Sequence, residues 1–369
     1  MKVLIVGFAN IYVMPYLHFY LKFLQERGCK VHLFYWDRDG GPDQTLPVEI
    51  TTTKFEYHLS DHLPRWKKIK AFWTFRKECG NLLDSEDFDF ILILTTLPAF
   101  LLSSRLKKRF RKNYIMDFRD LTLEKSWIFR SSVRRLMAHA AATFISSDGF
   151  RKYYPDAKLQ TTHNILLDTL DHRDVRRQYP RETGPIRIRF WGLIRHEEIN
   201  IKIIRHLSKD PRFELHYHGR ETQVSSRLKA YAERNHANNV FFHGAYQPGD
   251  RYGFASQTEL LHNIYENDEA TRPAMGNKFY DGIALYLPQL CHTGSHMGDE
   301  VIASRVGLAC DPSHAKFADV LFDHYQTIDW SAFESHCDQK LRKILEEYQA
   351  GLGVLDTALM KRHRSHPGS

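Results

Sequence analysis

Asn277, Lys278 and Asp281 are the residues whose types and spacing most directly suggest chemistry. They lie in the stretch MGNKFYDGIALYLPQL, Met275 to Leu290, which has helical apolar spacing and must leave the helix before Pro288. Asn277 reads as the N-cap, its side-chain oxygen accepting from a free amide of the first turn. Lys278 is then the first helical residue, where the positive end of the helix dipole disfavours an exposed cation by roughly 0.3–1 kcal/mol. A surface i,i+3 pair with Asp281 returns only on the order of 0.2–0.5 kcal/mol. A bound phosphate accounts for the placement better, because free N–H groups and the lysine charge converge on it. Asp281, one turn on along the same face, can accept from two vicinal ribose hydroxyls.

Further candidates follow apolar runs that end in glycine. RFWGLIRHEE supplies Gly192 and Arg195, whose guanidinium can give a phosphate two parallel hydrogen bonds or stand solvated at a strand–helix turn. HYHGRE brings Gly219 and Arg220 to a similar turn. GFANIY offers Gly7 for a tight turn and Asn10 as a ligand-bonding side chain, without the GxGxxG dinucleotide fingerprint. DFRD places Arg119 and Asp120 just after the strand NYIM, where a buried Asp–Arg pair fixing the loop is the competing reading. His216 and His218 alternate on one strand face but have no identifiable third zinc ligand, so they read as ordinary strand histidines. There is no GxSxG, Walker A or CxxC sequence, and the five cysteines are scattered.

These residues need a scaffold of alternating strands and helices. KVLIVG, KVHLFYW, FDFILIL, NYIMDF and ATFIS form one series. IRIRFWG, FELHYHG, NNVFFHG, LLHNIY, LPQLCH and VGLACD form a second. Continuous apolar runs separated by amphipathic helices imply buried parallel sheets, hence an α/β chain with two Rossmann-like halves. The expected domains are 1–170 and 185–329, joined through the polar stretch 168–185, then a helix over 330–352 and a flexible tail over 353–369. Ligands of open α/β sheets bind at the carboxyl ends of the strands, so two such sheets would face each other across a cleft.

Two Rossmann-like halves together with NKFYDGIALYLPQL resemble the GT-B glycosyltransferases, particularly the retaining enzymes of glycosyltransferase family four, many of which make bacterial capsule or exopolysaccharide. The resemblance implies an N-terminal acceptor domain and a C-terminal nucleotide-sugar domain. It implies that Lys278, Arg195 and Gly192 hold the donor diphosphate, Asp281 the ribose, and Asn277 and Gly219 the donor-site loops. Gly7 and Asn10 would border the acceptor, and Arg119 and Asp120 would be the catalytic candidates. The family's usual second acid, eight positions before the ribose acid, is here Pro273, with Glu266 and Glu269 nearby. GLACDP and the turn at Asn164 also resemble family features. Asp37 and Asp39, or Asp87 and Asp89, spell the DxD of the other glycosyltransferase fold, but not at the required place, so no catalytic metal and no cofactor are expected beyond a UDP- or GDP-linked sugar.

The net charge of +8 favours an anionic partner. Most of the excess lies in HLPRWKKIKAFWTFRKE, SSRLKKRFRK and WIFRSSVRRLM of the first half, mixed with Trp66, Phe72, Trp73, Trp127 and Phe129. Such helices suit an anionic membrane surface carrying a lipid-linked saccharide acceptor, and no nucleic-acid motif accompanies them. The expectation is a cytoplasmic glycosyltransferase, peripheral on the inner face of the membrane. A GT-B nucleotide-sugar epimerase and a non-catalytic basic binding protein are the alternatives.

Overall fold

The computed structural model describes residues 1–40, 46, 50–58, 65–175 and 184–365, with backbone alone for 65–67 and 361–365. The chain divides into two compact units, Met1–Asn164 with Glu346–Ser369, and Ile165–Leu345.

The first unit holds β1 (Lys2–Val6), β2 (Lys30–Asp37), β3 (Thr51–Glu56), β4 (Phe90–Leu94), β5 (Tyr114–Phe118), β6 (Ala142–Ile145) and β7 (Gln160–Thr161). All pair parallel, in the order β3-β2-β1-β4-β5-β6-β7. Its helices are α1 (Leu17–Glu26), α2 (Arg65–Ser85), α3 (Thr96–Leu101), α4 (Ser103–Lys108) and α5 (Trp127–His139). The chain steps from β1 to β2 in one direction, and from β3 through β6 in the other. Right-handed crossovers therefore put α1 on one face and α2 to α5 on the opposite face.

The second unit holds β8 (Ile186–Trp191), β9 (Phe213–His218), β10 (Val240–Phe242), β11 (Leu260–Asn263), β12 (Gln289–His292) and β13 (Gly307–Cys310). They are parallel in the order β10-β9-β8-β11-β12-β13. The helices are α6 (Glu197–Leu207), α7 (Gln223–Arg234), α8 (Asp250–Ser256), α9 (Asn277–Ala284), α10 (His296–Ser304), α11 (Phe317–Gln326) and the first part of α12 (Trp330–Ser365), which belongs to the first unit from Glu346 onward. Isoleucines of β8 and α6 pack with Phe213, Leu215 and Tyr217 of β9 into the main core.

Every strand read from an apolar run is present. The sequence reading passes over β3 and β7. TTTKFE turns only Phe55 fully inward at the sheet edge, and β7 spans two residues. The unit boundary falls at Asn164 rather than within 168–185. Leu167–Val175 forms 3-10 turns that belong to the second unit, with Thr169 buried against Arg251, while 176–183 lie outside the described residues. The last helix continues past 352 to Ser365, because Gly351, Leu355, Ala358 and Leu359 keep helical spacing and are buried. Of the expected tail, residues 366–369 lie outside the described residues. Among the described residues no helix is long and apolar enough to cross a membrane. All five cysteines are free, four of them buried.

The far end of α12 packs on the first unit. Tyr348 meets Phe19 edge-on at 4.9 Å, and Glu347 lies 2.6 Å from His163. Tyr348→Ala should therefore destabilise the first unit by about 3–5 kcal/mol, as for other buried aromatic truncations. A urea midpoint equal to that of the parent protein would show that this helix end contributes nothing there.

Candidate functional site

In the second unit the carboxyl ends of β8, β9 and β11 meet the start of α9. The backbone bends sharply after Trp191. Gly192 adopts φ +126°, a conformation that favours glycine, and its N–H donates to the His218 carbonyl at 3.0 Å. A Cβ on Gly219 would stand 2.2 Å from the Gly192 carbonyl oxygen, so neither position takes a side chain without moving backbone. Asn200 pins the following loop, donating to the carbonyls of Arg195 and His196 at 2.9 and 2.8 Å. Its own oxygen is held by Tyr217 and His262. Arg195 projects from this loop with its side chain exposed.

Gly276, not Asn277, caps α9. A Cβ at 276 would lie 3.1 Å from the Tyr265 ring, and the helix starts one residue earlier than the cap preference of asparagine suggests. Asn277 is the first helical residue and is exposed; Lys278 is the second and is only 7% exposed. The Lys278 ammonium donates to the Tyr265 hydroxyl at 2.7 Å. It also lies 4.0 Å from the centre of the Phe190 ring and 5.0 Å from that of Tyr265. It faces Gly192, 3.9 Å from where a Cβ would be. Among the described residues no carboxylate lies within salt-bridge distance of it. Aromatic faces and one hydroxyl thus hold a buried cation without a paired acid, an arrangement that leaves room for an anion's charge.

Asp281 stands one turn further along α9, half-buried, with Oδ2 accepting from the Trp191 indole N–H at 2.9 Å. Burial pushes its carboxyl above the ordinary range, against the opposing pull of Arg251, the indole N–H and Lys278. Arg251 is itself buried, donating to Thr169 and Tyr252 at 2.9 and 2.8 Å. Burial drives His262 down to about 3, reinforced by the Lys278 and His196 charges, so it is neutral near the lysine.

The loop after β11 brings Glu266 to 3.5 Å from His196, which caps α6 in a left-handed conformation. Glu269 is exposed. Glu266 is therefore the acid associated with the Gly192–His196 loop, a relation that sequence spacing did not reveal. Trp191 and Tyr265 were also missed as partners of Asp281 and Lys278. Their only sequence signal is their place at or just beyond strand ends. His216 and His218 belong to a stack with His243, Phe254 and Phe241. Burial, with neighbouring cations, lowers both to about 3. Among the described residues no group of side chains could hold a metal ion.

The first unit has a different character. Arg119 is 4% exposed, and its guanidinium donates to Asp117, Asn164 and Thr162 while lying 4.6 Å over the Tyr16 ring. The Asp–Arg pairing that fixes the loop is the observed role, and it leaves Arg119 directed into the protein. Asp120, the next residue, is exposed. Asn10 is likewise turned inward: its amide donates to Asp37 at 2.7 Å and Asp39 at 2.9 Å, and its oxygen accepts from the Arg38 N–H at 3.0 Å. A Cβ on Gly7 would press on the Met14 side chain at 2.9 Å, so this glycine serves close packing.

No family model matches the sequence, and no curated protein matches it. Solved structures resemble it over nearly the whole chain. A UDP-forming α,α-trehalose-phosphate synthase from Burkholderia xenovorans is 10% identical, with a TM-score of 0.66 and 100% of both chains covered. A glycosyltransferase from Rickettsia africae gives the same values. Anabaena Alr3699/HepE, in complex with UDP, is 12% identical with a TM-score of 0.65, covering 97% of this chain and 100% of its own. The likeness is to the two-domain Rossmann-like GT-B fold and does not single out family four.

Asp281 makes the site's electrostatics testable. Its native carboxyl holds a proton more tightly than the unfolded chain does, so its ionisation costs stability as pH rises from the ordinary carboxylate range through the raised value. Above that value the full cost is present. Asp281→Asn keeps an acceptor for Trp191 and removes the charge. It should melt higher than the parent at neutral pH, with the difference closing as pH falls into the ordinary carboxylate range. A lower melting point at neutral pH would show that the carboxylate is net stabilising.

Proposed function

We propose that the protein is a glycosyltransferase that takes a sugar from a UDP- or GDP-linked donor and passes it, with retention, to a lipid-linked glycan acceptor in bacterial surface polysaccharide synthesis. The observation that carries the donor half of this reading is Lys278, a buried ammonium at a helix N-terminus with no paired carboxylate among the described residues. A diphosphate supplies the missing charge. The bends at Gly192 and Gly219 let backbone approach it closely, Arg195 reaches it from the loop after β8, and the Asn277 amide adds a donor. Asp281 takes the ribose hydroxyls with its second oxygen while Trp191 holds the first.

As the bond to the sugar breaks, charge grows on the leaving phosphate. Lys278 and the α9 dipole stabilise that charge in place, so the reading needs no metal ion. Loss of one such preorganised donor typically costs about 10²–10³ in turnover. The neighbours that form or hold UDP and the fold shared with glycosyltransferases support a nucleotide-sugar substrate. The acceptor half rests on the family-four resemblance of NKFYDGIALYLPQL and on the basic, aromatic-bearing helices of the first unit. Asp120, exposed at the carboxyl end of β5, is the proposed acid on the acceptor side, with Arg119, Asn10 and Gly7 shaping the surrounding loops.

A thermal-shift panel of UDP- and GDP-sugars tests the donor assignment. A true donor at a hundred times its Kd adds about 2.7 kcal/mol of stability and raises the melting temperature by several degrees. Lys278→Ala and Asp281→Ala should each abolish that shift. A shift that survives both substitutions would place the nucleotide elsewhere. Formation of an epimer from the donor alone would convert the reading to an epimerase.

A further inference from the structure

The first unit exposes large apolar side chains in two places. On α2, Ile69 is 53% exposed and Trp73 61%, four residues apart and so on one helix face. At the start of α5, Trp127 is 71% exposed and Ile128 60%, and Leu123 in the preceding loop is 48% exposed. Isolated exposed apolar residues are ordinary, but this unit repeats the pattern with tryptophan at both sites.

The topology brings the two sites to one edge. Both helices lie on the same face of the sheet and both pack against α3. Each follows a parallel strand and runs back antiparallel to it, so each begins at the carboxyl edge of the sheet. Trp127 is the first residue of α5, and Trp73 lies within about 12 Å of the start of α2 at 1.5 Å per residue. The same edge carries the exposed Asp120.

The charge around these side chains is mainly positive, although Glu78 and Asp84 farther along α2 and Asp120 at the edge itself are exposed acids. Lys70, Lys77, Lys125 and Arg135 are exposed on the same two helices and loop. The Arg76 guanidinium sits 4.9 Å over the Trp73 ring. Glu124, the acid nearest Trp127 in the chain, is turned inward onto Thr96 and Thr122 and is 2% exposed. Indoles beside cations suit the boundary between lipid headgroups and acyl chains, where the ring is half-solvated and the cations meet anionic lipid.

We propose that this edge docks on an anionic membrane, with Leu123, Trp127 and Ile128 entering the headgroup–acyl boundary at one point and Ile69 and Trp73 at a second. Apolar insertion and electrostatic attraction are each weak alone and hold the protein reversibly together. The inference deepens the lipid-linked acceptor part of the proposed function and is independent of donor binding. It would place the membrane at the edge where Asp120 is exposed.

The test uses the whole chain with vesicles of phosphatidylcholine, with and without about 30% phosphatidylglycerol. The protein should sediment with the anionic vesicles. Brominated lipid should quench its tryptophan fluorescence. Trp127→Ser with Ile128→Ser should weaken binding about tenfold or more, and Trp73→Ser should weaken it further, without changing the melting temperature. Raised salt should weaken binding without abolishing the quenching of protein that remains bound. No sedimentation with anionic vesicles would overturn the proposal, as would binding unaffected by the substitutions or bound protein without quenching. A dimer in solution that Trp127→Ser dissolves would assign the patch to a second copy instead. Thermal shift by UDP and by GDP, measured on the same variants, separates the two readings. Vesicle binding without a shift by either UDP or GDP sinks the donor assignment and leaves the docking edge, and a nucleotide shift without vesicle binding does the opposite.

Discussion

A buried lysine ammonium is expensive to keep, and the second unit is arranged around keeping one. Lys278 sits near the positive end of α9, where the dipole opposes it, and it lacks a carboxylate at salt-bridge range among the described residues. What holds the charge is weaker and more diffuse. The faces of Phe190 and Tyr265 and the Tyr265 hydroxyl surround it, and Asp281 lies one turn away. A protein optimised only for stability would pair or remove such a group.

The surroundings make that placement rigid. Gln289 donates to the Phe279 carbonyl and accepts from Asn263, tying α9 to β11 and β12. It lies so close that a Cβ on Gly282 would stand 2.4 Å from its side chain. The helix ends with Tyr286 in a left-handed conformation usually given to glycine, its hydroxyl bonded to Asp338 at 2.8 Å and its ring under Arg173. Asn200 fixes the opposing loop through two carbonyls. The cation, the carboxylate and the two glycine bends therefore hold their geometry without a ligand, as electrostatic preorganisation requires.

Polar groups of the first unit largely satisfy one another. Arg119 is consumed by Asp117, Asn164 and Thr162, and Asn10 spans Asp37 and Asp39. Such hydrogen-bonded networks fix loops rather than present reagents, and here only Oδ1 of Asp117 is left buried without a hydrogen-bond partner among the atoms of these two networks. Asp120, the residue next to Arg119, is exposed where Arg119 is buried, so this strand–helix turn directs two adjacent charged residues to different surroundings.

Much of this molecule is set locally along the chain. Buried parallel strands are continuous apolar runs and amphipathic helices have a period, so the α/β class, the two halves and nearly every strand follow from KVLIVG, IRIRFWG and their fellows. The spacing of Lys278 and Asp281 on one helical face is equally local. The edge strand β3, with one buried residue, leaves too faint a pattern. The far end of α12 is periodic, but its glycines and basic last residues read as a tail until packing on Phe19 and Thr162 is seen. Only the tertiary structure decided which polar residues are spent and which are free to act. Trp191 reaches Asp281 across 90 positions, Asn164 reaches Arg119 across 45, and Glu266 meets His196 from another strand's loop. Whether a side chain meets a partner or waits for one depends on distances between residues far apart in the chain, which no local pattern encodes.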